Sequence, residues 1–218
     1  MHPNMTIMAA AAALLAPSAG QAQSPGRAPA RSIESTDVAG VRLEMTRQQA
    51  EAALAGTYRC DRPAPGLSYA ELVQDEVTRR RGGTIPWGRD GSGIQWIECR
   101  GPGREKLLVW FAQTPAGPVV REVSLQASAE GLDIPDVRRQ LAAKYGRPTL
   151  GDDVRGVHCN AGYRCGDGSN VDGPHLSVDT YSGLFIKLLR GQRAQAADDA
   201  AVLAAADRIA PKRSGAAF

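Results

Sequence analysis

A helix signal followed by several strand signals occurs twice in this 218-residue chain, and this order is the strongest constraint on its fold. The first series opens with a capping box, in which Thr46 and Gln49 satisfy each other's free backbone donors at the start of a helix. A second box follows at Ser68 and Glu71. Alternating strand patterns come next, so we predict an α+β fold in which helices pack on one face of an antiparallel meander.

The strand patterns of the first series are GIQWIEC, KLLVWFAQ and PVVREVSLQ, joined by the turn-forming stretches RGPGRE and TPAG. These links are short enough to form hairpins. Trp96 and Trp110 fall within the first two patterns. We interpret them as core or half-buried sheet residues, with a stacking role in ligand binding as the alternative.

The second series starts at Asp133, the predicted N-cap of a helix that ends at Gly146 and Pro148. The strand patterns RGVHC, HLSVDTY and LFIKLLRG follow, and a mostly alanine helix over residues 194–209 closes the series. The repeated order predicts two tandem units, each a helix followed by a meander and stabilised by a disulfide, from an internal duplication. A single α+β domain with unrelated halves is the alternative.

The N-terminus has the pattern of a Sec-type secretory signal peptide. An apolar run from Ile7 to Ala16 precedes small residues at Gly20 and Ala22, which predicts a signal peptide over residues 1–22. The run is shorter than the about 20 residues that a membrane-spanning helix needs. No lipobox is present, so we expect a periplasmic or secreted protein without a stable membrane anchor.

The rest of the chain divides into four predicted segments. Residues 23–37 are rich in Pro, Ser and Ala, which predicts a disordered leader. Residues 38–127 form the first α+β unit, and residues 128–210 form the second unit with its C-terminal helix. Residues 211–218 are expected to be a flexible tail.

Four cysteines in an exported chain are expected to form two disulfides, because exported thiols become oxidised. Three pairings are possible. We favour Cys60 with Cys99 and Cys159 with Cys165, because each partner lies in the same local group of elements.

The formal net charge of +3 is mild and does not support nucleic-acid binding, which requires a concentrated basic face. The one basic run is Arg79, Arg80 and Arg81. Arginines at the end of a helix interact favourably with the helix dipole, so a solvated helix end is the simple interpretation. A patch that contacts an anionic partner is the alternative.

Two histidines, His158 and His175, remain after the predicted signal peptide. No nucleophile motif accompanies them, and neighbouring strand residues such as His158 and Cys159 point to opposite faces, which disfavours a shared zinc ion. The loop that begins at Asp167 resembles a calcium loop in composition, but Val171 stands where an oxygen ligand is required. We therefore predict no catalytic, metal or cofactor residue, with a small periplasmic hydrolase or metal-binding protein using the two histidines as the alternative.

The stretch VAGVRLEMTRQQAEAAL resembles the opening of small bacterial envelope domains of the SmpA/OmlA type, also called BamE-like: a short strand, a Gly-Met-Thr-like turn and a capped helix. The matching positions are Val41, Leu43, Met45, Thr46, Ala50 and Leu54. Glu44 stands where such domains usually have glycine. The phrase IPDVRRQLAAKYGRPT resembles their second recurrent motif at Val137, Leu141, Gly146 and Pro148.

A tandem of such units with one disulfide each is also similar in architecture to the secreted β-lactamase inhibitor protein. These resemblances imply a non-catalytic binding scaffold, because BamE-like domains contact other envelope proteins and the inhibitor grips an enzyme with the face of its sheets. We expect the partner to be an envelope or extracellular protein, bound through a sheet face or through exposed loops. The candidate contact residues are Trp87, Arg79, Arg80, Arg81, Asp167 and Asn170.

Overall fold

The computed structural model describes residues 32–166 and 171–211. The predicted signal peptide, most of the predicted leader and nearly all of the predicted tail lie outside these residues. A 3-10 turn at Ile33–Ser35 comes first. The helices are α1 (Arg47–Leu54), α2 (Tyr69–Arg80), α3 (Ile134–Tyr145) and α4 (Gln192–Ile209). The strands are β1 (Asp37–Val38), β2 (Val41–Arg42), β3 (Arg59–Cys60), β4 (Ala64–Gly66), β5 (Gly93–Arg100), β6 (Lys106–Thr114), β7 (Gly117–Ser128), β8 (Leu150–Gly151), β9 (Arg155–Cys159), β10 (His175–Asp179) and β11 (Gly183–Leu189).

The first three helices begin at the predicted caps. The Gln49 N–H donates to the Thr46 hydroxyl at 3.3 Å, and the Gln49 side chain accepts from the Thr46 N–H at 2.8 Å. The second capping box also forms, with 2.7 Å between the Ser68 nitrogen and the Glu71 carboxylate. Asp133 caps α3 through its side chain. The starts of these helices are therefore fixed by contacts within a few residues of sequence.

Nine strands form one antiparallel sheet in the order β3-β5-β6-β7-β11-β10-β9-β8, and β4 pairs with β5 beside this path. The strands of the two predicted units meet where β7 pairs with β11 along the whole of β11. The sheet is thus continuous across the two sequence series. The predicted α+β class with an antiparallel sheet is confirmed.

One face of the sheet, which we call the covered face, carries the core. The helices α1 and α3 and the short hairpin β1–β2 pack on it. The strand side chains at its centre are all buried: Ile97, Leu107, Val109, Val123, Leu125, Leu176, Ile186 and Leu188. Full burial of each such side chain contributes about 1.5–3 kcal/mol, so this layer makes a substantial contribution to the stability of the fold.

Ordered structure begins earlier than expected from composition. Ile33 is buried against the core, and its N–H donates to the Asn160 side chain at 2.8 Å. Residues 32–37 were included in the predicted disordered leader, but this apolar anchor packs them onto the covered face. The next residues form the hairpin of β1 and β2, because the chain turns back at Gly40 with a positive φ.

A second, smaller cluster joins α2 to α4. Val73 and Val77 of α2 pack against Ala205 and Ala206 of α4, and the Tyr69 hydroxyl donates to a carbonyl of α4 at 2.9 Å. Across the described part of the chain, no helix has the length and apolar character needed to cross a membrane. The helix pair meets the sheet where α4 contacts β6.

Candidate functional site: the open face of the sheet

The second face of the sheet, which we call the open face, is bordered by the start of α4, which shares a cavity with Glu122, His175 and Leu189. Strand register aligns its side chains in three rows. The first row is Trp96, Trp110, Glu122, Leu189, His175 and Cys159. The second row is Glu98, Leu108, Ser124, Lys187, Ser177 and Val157. The third row is Arg59, Arg100, Lys106, Gln126, Phe185, Asp179 and Arg155. All of them are half-buried or exposed except Ser124 and His175.

An aromatic pair occupies one end of the open face. Trp96 and Trp110 stand directly opposite each other on β5 and β6, with ring centroids 6.1 Å apart and planes tilted by 49°. The Arg121 guanidinium lies 5.7 Å from the Trp110 ring centroid, within the range of a cation–π interaction. We predicted that both tryptophans are core or half-buried sheet residues. They are half-buried sheet residues, on the side of the sheet away from the core.

Arg121 reaches the Trp110 ring because the β6–β7 register shifts at this point. The pairing slips between Trp110 and Phe111, as at a β-bulge. A bulge inserts an extra residue and redirects its side chain, which is why Arg121 can share a face with its neighbour Glu122. The aromatic end of the open face therefore carries a cation that strict alternation along β7 would not place there.

The acidic side chains of the open face lie beneath its basic ones. Glu98 has only 14% of its side chain exposed and accepts from Lys106 at 2.9 Å and from Arg100 at 3.3 Å. The hydrogen bond from Lys106 is the main cause that lowers the pKa of Glu98. By contrast, 72% of the Arg100 side chain and 45% of the Lys106 side chain are exposed. The two cations are therefore more exposed to solvent than the carboxylate with which they pair.

The same layering occurs on the other half of the face. Lys187 pairs with the more buried Glu122 at 3.0 Å, and the largely exposed Arg155 pairs with Asp179 at 3.0 Å. Each of these acids is already neutralised by a neighbour, so the open face presents positive charge around a half-buried apolar floor.

The two histidines lie on opposite faces of the sheet. His158 is buried on the covered face, with its ring 6.2 Å from Tyr145. His175 is buried on the open face, and its Nδ1 lies 3.1 Å from the carbonyl of Gly173. Burial lowers the pKa of both imidazoles. A single site that uses both rings is incompatible with this placement, and the described residues contain no group of three or more metal-ligating side chains.

The sequence predicts Arg80 as a partner contact, but its side chain is only 8% exposed and forms ion pairs and hydrogen bonds within the chain. It pairs with Glu76 at 2.9 Å and Asp207 at 2.5 Å, and it donates to the carbonyl of Ala210 at 3.2 Å. These bonds join the end of α2 to α4. Arg80 is therefore a structural residue.

The other predicted contact residues do not gather at one place. Arg79 is 62% exposed beside Glu76, and Arg81 is exposed at the end of α2. Trp87 is fully exposed in the loop after α2. Asp167 and Asn170 lie outside the described residues. The residues that do converge are those of the open face, and the sequence prediction did not include them as a site.

Both predicted disulfides form. Cys60 and Cys99 face each other across β3 and β5 with Cα atoms 3.9 Å apart, and Cys159 and Cys165 close a short loop with Cα atoms 5.8 Å apart. The described residues include no free cysteine. Two such bonds indicate maturation in an oxidising compartment, as expected for an exported protein.

The loop closed by Cys159 and Cys165 is anchored by contacts with two neighbouring segments. The Tyr163 ring packs so closely on Gly173 that a Cβ there would lie 2.2 Å from it. Arg164 pairs with Asp172 at 3.4 Å, and the Arg193 guanidinium stands 5.3 Å from the Tyr163 ring centroid. These contacts hold Tyr163 and Arg164 near the start of α4, while Ala161 and Gly162 of the loop are exposed.

Two shallow cavities border the open face where α4 begins, with volumes of about 530 and 300 Å³. Arg121, Gln195 and Asp198 line both of them, and Asp198 is held by Arg190 at 2.7 Å. The cavities therefore extend the open face into a groove beside α4.

No family model matches the chain, and no curated protein and no solved structure is significantly similar to it.

Proposed function

We propose that this protein is an exported, non-enzymatic binding module that holds a protein partner on the open face of its sheet. The observation that carries this proposal is the composition of that face. Two half-buried tryptophans, Trp96 and Trp110, share this face with the half-buried aliphatic side chains of Leu108 and Val157, and Leu189 lines the groove beside α4; we call these side chains the apolar floor. Aromatic residues surrounded by a polar rim are typical of protein interfaces.

Two observations favour a binding role over the alternative of a hydrolase or metal-binding protein. His158 and His175 are separated by the sheet, so they cannot act on one substrate atom or ligate one ion together. The His175 Nδ1 lies 3.1 Å from the carbonyl of Gly173 two residues away, a contact that orients the ring without activating a nucleophile.

Export is supported by the disulfides and by the N-terminal signal pattern. We place the mature protein in the periplasm or outside the cell, as the resemblance to BamE-like envelope domains also implies. N-terminal sequencing of the protein from its natural host should find the mature chain starting after Ala22. A mature chain that retains Met1 would contradict export by this route.

The proposed surface can be tested by affinity capture from envelope extract with three matched baits. The wild-type chain is compared with Ser177→Tyr, which adds bulk to the open face without removing a core side chain, and with Trp87→Ala, which changes only the exposed loop. We expect the Ser177→Tyr bait to lose a partner that the wild-type and Trp87→Ala baits both retain.

Each bait must be fully folded at the capture temperature, as judged by thermal unfolding and circular dichroism, so that a loss of capture reports the surface and not the fold. A second variant, Leu108→Ala, removes part of the apolar floor and should weaken the same capture. Retention of the partner by both open-face variants, or its loss with Trp87→Ala alone, would move the binding site to another surface.

A further inference from the structure

We infer that the partner segment received by the open face is acidic: a protein segment with an apolar or aromatic side chain at one end and two or more carboxylates about 13 Å away. This inference rests on the proposed function and adds the chemistry of the partner. It follows from the positions of the aromatic pair and of the basic side chains on the same strands.

Three basic side chains stand side by side at the end of the open face opposite the tryptophans. Arg59, Arg100 and Lys106 occupy directly opposed positions on the adjacent strands β3, β5 and β6. Like charges placed directly opposite each other on neighbouring strands are destabilising. Glu98, one row away, bridges Arg100 and Lys106, but no ion pair of Arg59 occurs among the described residues. Carboxylates from outside the chain would relieve this repulsion.

The separation of the two ends follows from the strand geometry. Trp96 and Arg100 lie four residues apart on β5, and Trp110 and Lys106 lie four residues apart on β6. At about 3.3 Å per residue, each pair is separated by about 13 Å along the strand. Glu98 and Leu108 lie between the two ends. An extended partner segment can therefore reach both ends with side chains about four residues apart.

The charge of the whole face points the same way. The three rows of the open face, taken together with Arg121, contain six cationic and three acidic side chains. All three acids are already paired within the chain. The cations are Arg59, Arg100, Lys106, Arg121, Arg155 and Lys187. An acidic partner complements this pattern, whereas a basic partner would meet the exposed ends of like charges.

The inference is tested with two synthetic peptides and the full-length mature chain. One peptide carries a phenylalanine and, four positions further on, a pair of glutamates, and the control peptide carries lysines in place of the glutamates. The chain has three tryptophans, and their indole N–H signals can be assigned by single Trp→Phe variants. We expect the acidic peptide to shift the signals of Trp96 and Trp110 and to leave that of Trp87 unchanged.

A charge-reversal pair makes the test specific. Arg100→Glu with Lys106→Glu should weaken binding of the acidic peptide about tenfold, since two favourable rim charges become repulsive. The matched control, Arg47→Glu with Arg139→Glu, reverses two exposed charges on α1 and α3, which pack on the covered face, and should leave the affinity within twofold of wild type.

The outcomes separate this inference from the proposed function. Equal binding of the two peptides, or no effect of the Arg100 and Lys106 reversal, overturns the acidic partner. If Ser177→Tyr still abolishes protein capture in that case, the open face stands as the binding surface. Heparin and vesicles that contain phosphatidylglycerol serve as further probes. Tighter binding of either one than of the acidic peptide, lost with the Arg100 and Lys106 reversal, would assign the face to a polyanionic saccharide or lipid surface and refute a protein segment.

Discussion

Leu107 and Leu108 offer a matched test of the two faces of the sheet, because they are neighbours on β6 and point in opposite directions. Leu107 is fully buried in the core. Leu108 is half-buried on the open face. Truncation of each to alanine removes the same atoms, so any difference in the free energy of unfolding reports the environment of the side chain.

The expected costs differ about threefold. Leu107→Ala removes a buried side chain and leaves a cavity in a close-packed layer, for which about 3 kcal/mol is typical. Leu108→Ala loses only the partial burial of a leucine and opens no closed cavity, so the cost should be about 1 kcal/mol or less. With a urea m-value of about 2 kcal/mol/M, the unfolding midpoint should fall by about 1.5 M for Leu107→Ala and by no more than about 0.5 M for Leu108→Ala.

The assay is equilibrium urea unfolding of the oxidised chain, followed by tryptophan fluorescence and circular dichroism, which must give coincident transitions. Equal midpoint shifts for the two variants, or a larger shift for Leu108→Ala, would show that the open face is packed in the folded protein. That result would refute the assignment of this face as a free binding surface.

Three further perturbations test other parts of the structure. Removal of the first disulfide by Cys60→Ala with Cys99→Ala should lower the free energy of unfolding by about 4 kcal/mol, since it closes a loop of about 40 residues; a loss below about 1 kcal/mol in urea unfolding would mean that the bond does not constrain the unfolded chain. Arg80→Ala should cost several times more unfolding free energy than the control Arg79→Ala, because it removes a guanidinium that is only 8% exposed and that joins α2 to α4 through Glu76 and Asp207, whereas the Arg79 side chain is 62% exposed; equal costs would contradict the link between α2 and α4. Hydrogen bonds, above all from the Ser68 backbone, lower the pKa of Glu71 to about 2 from 4.5, so its contribution to stability is present above pH 4.5 and is lost as the pH falls toward 2. A pH titration of the urea midpoint should therefore be flatter for Glu71→Gln than for wild type in this range, and parallel curves would refute the shift.

The elements set by local chemistry could be predicted from the sequence. The caps at Thr46, Ser68 and Asp133 lie within three residues of their partners, and all three helices start where predicted. The pattern RGVHC predicted β9 over the same five residues that form it. α4 begins at Gln192 and not at residue 194, because no side chain caps it and composition alone does not mark its start.

Features that depend on contacts distant in sequence could not be predicted. The strands β3, β4 and β8 have only two or three residues, too few to show the alternation of apolar and polar side chains that marks a strand. They form because β5 and β9 provide strand edges with which they can pair. The pairing of β7 with β11 joins the two series into one sheet, and no local pattern contains that information. Glu44 has a φ of 64° in the left-handed region. Glycine adopts such a φ most easily, and here the Glu44 carboxylate pairs with Arg190 at 2.5 Å.

The candidate site had a signal in the sequence that the prediction did not use. Trp96, Glu98 and Arg100 alternate along β5 with the buried Ile97 and Cys99. This alternation places two charged residues on the same side as a tryptophan, which is unusual for a core position. What the sequence could not provide was the neighbouring strand on each side, and hence the three aligned rows of the open face.

The central claim is that a protein partner occupies the open face, and site-specific photo-crosslinking in the producing cells tests it most directly. A photoreactive phenylalanine analogue replaces Phe185, which lies in the third row of the open face, or Ala142, which is exposed on α3 beyond the covered face. We expect the analogue at position 185 to form a discrete adduct with another protein, and the analogue at position 142 to form none. An adduct that forms only from position 142, or no adduct from position 185 in cells that make the folded, oxidised chain, would contradict the account.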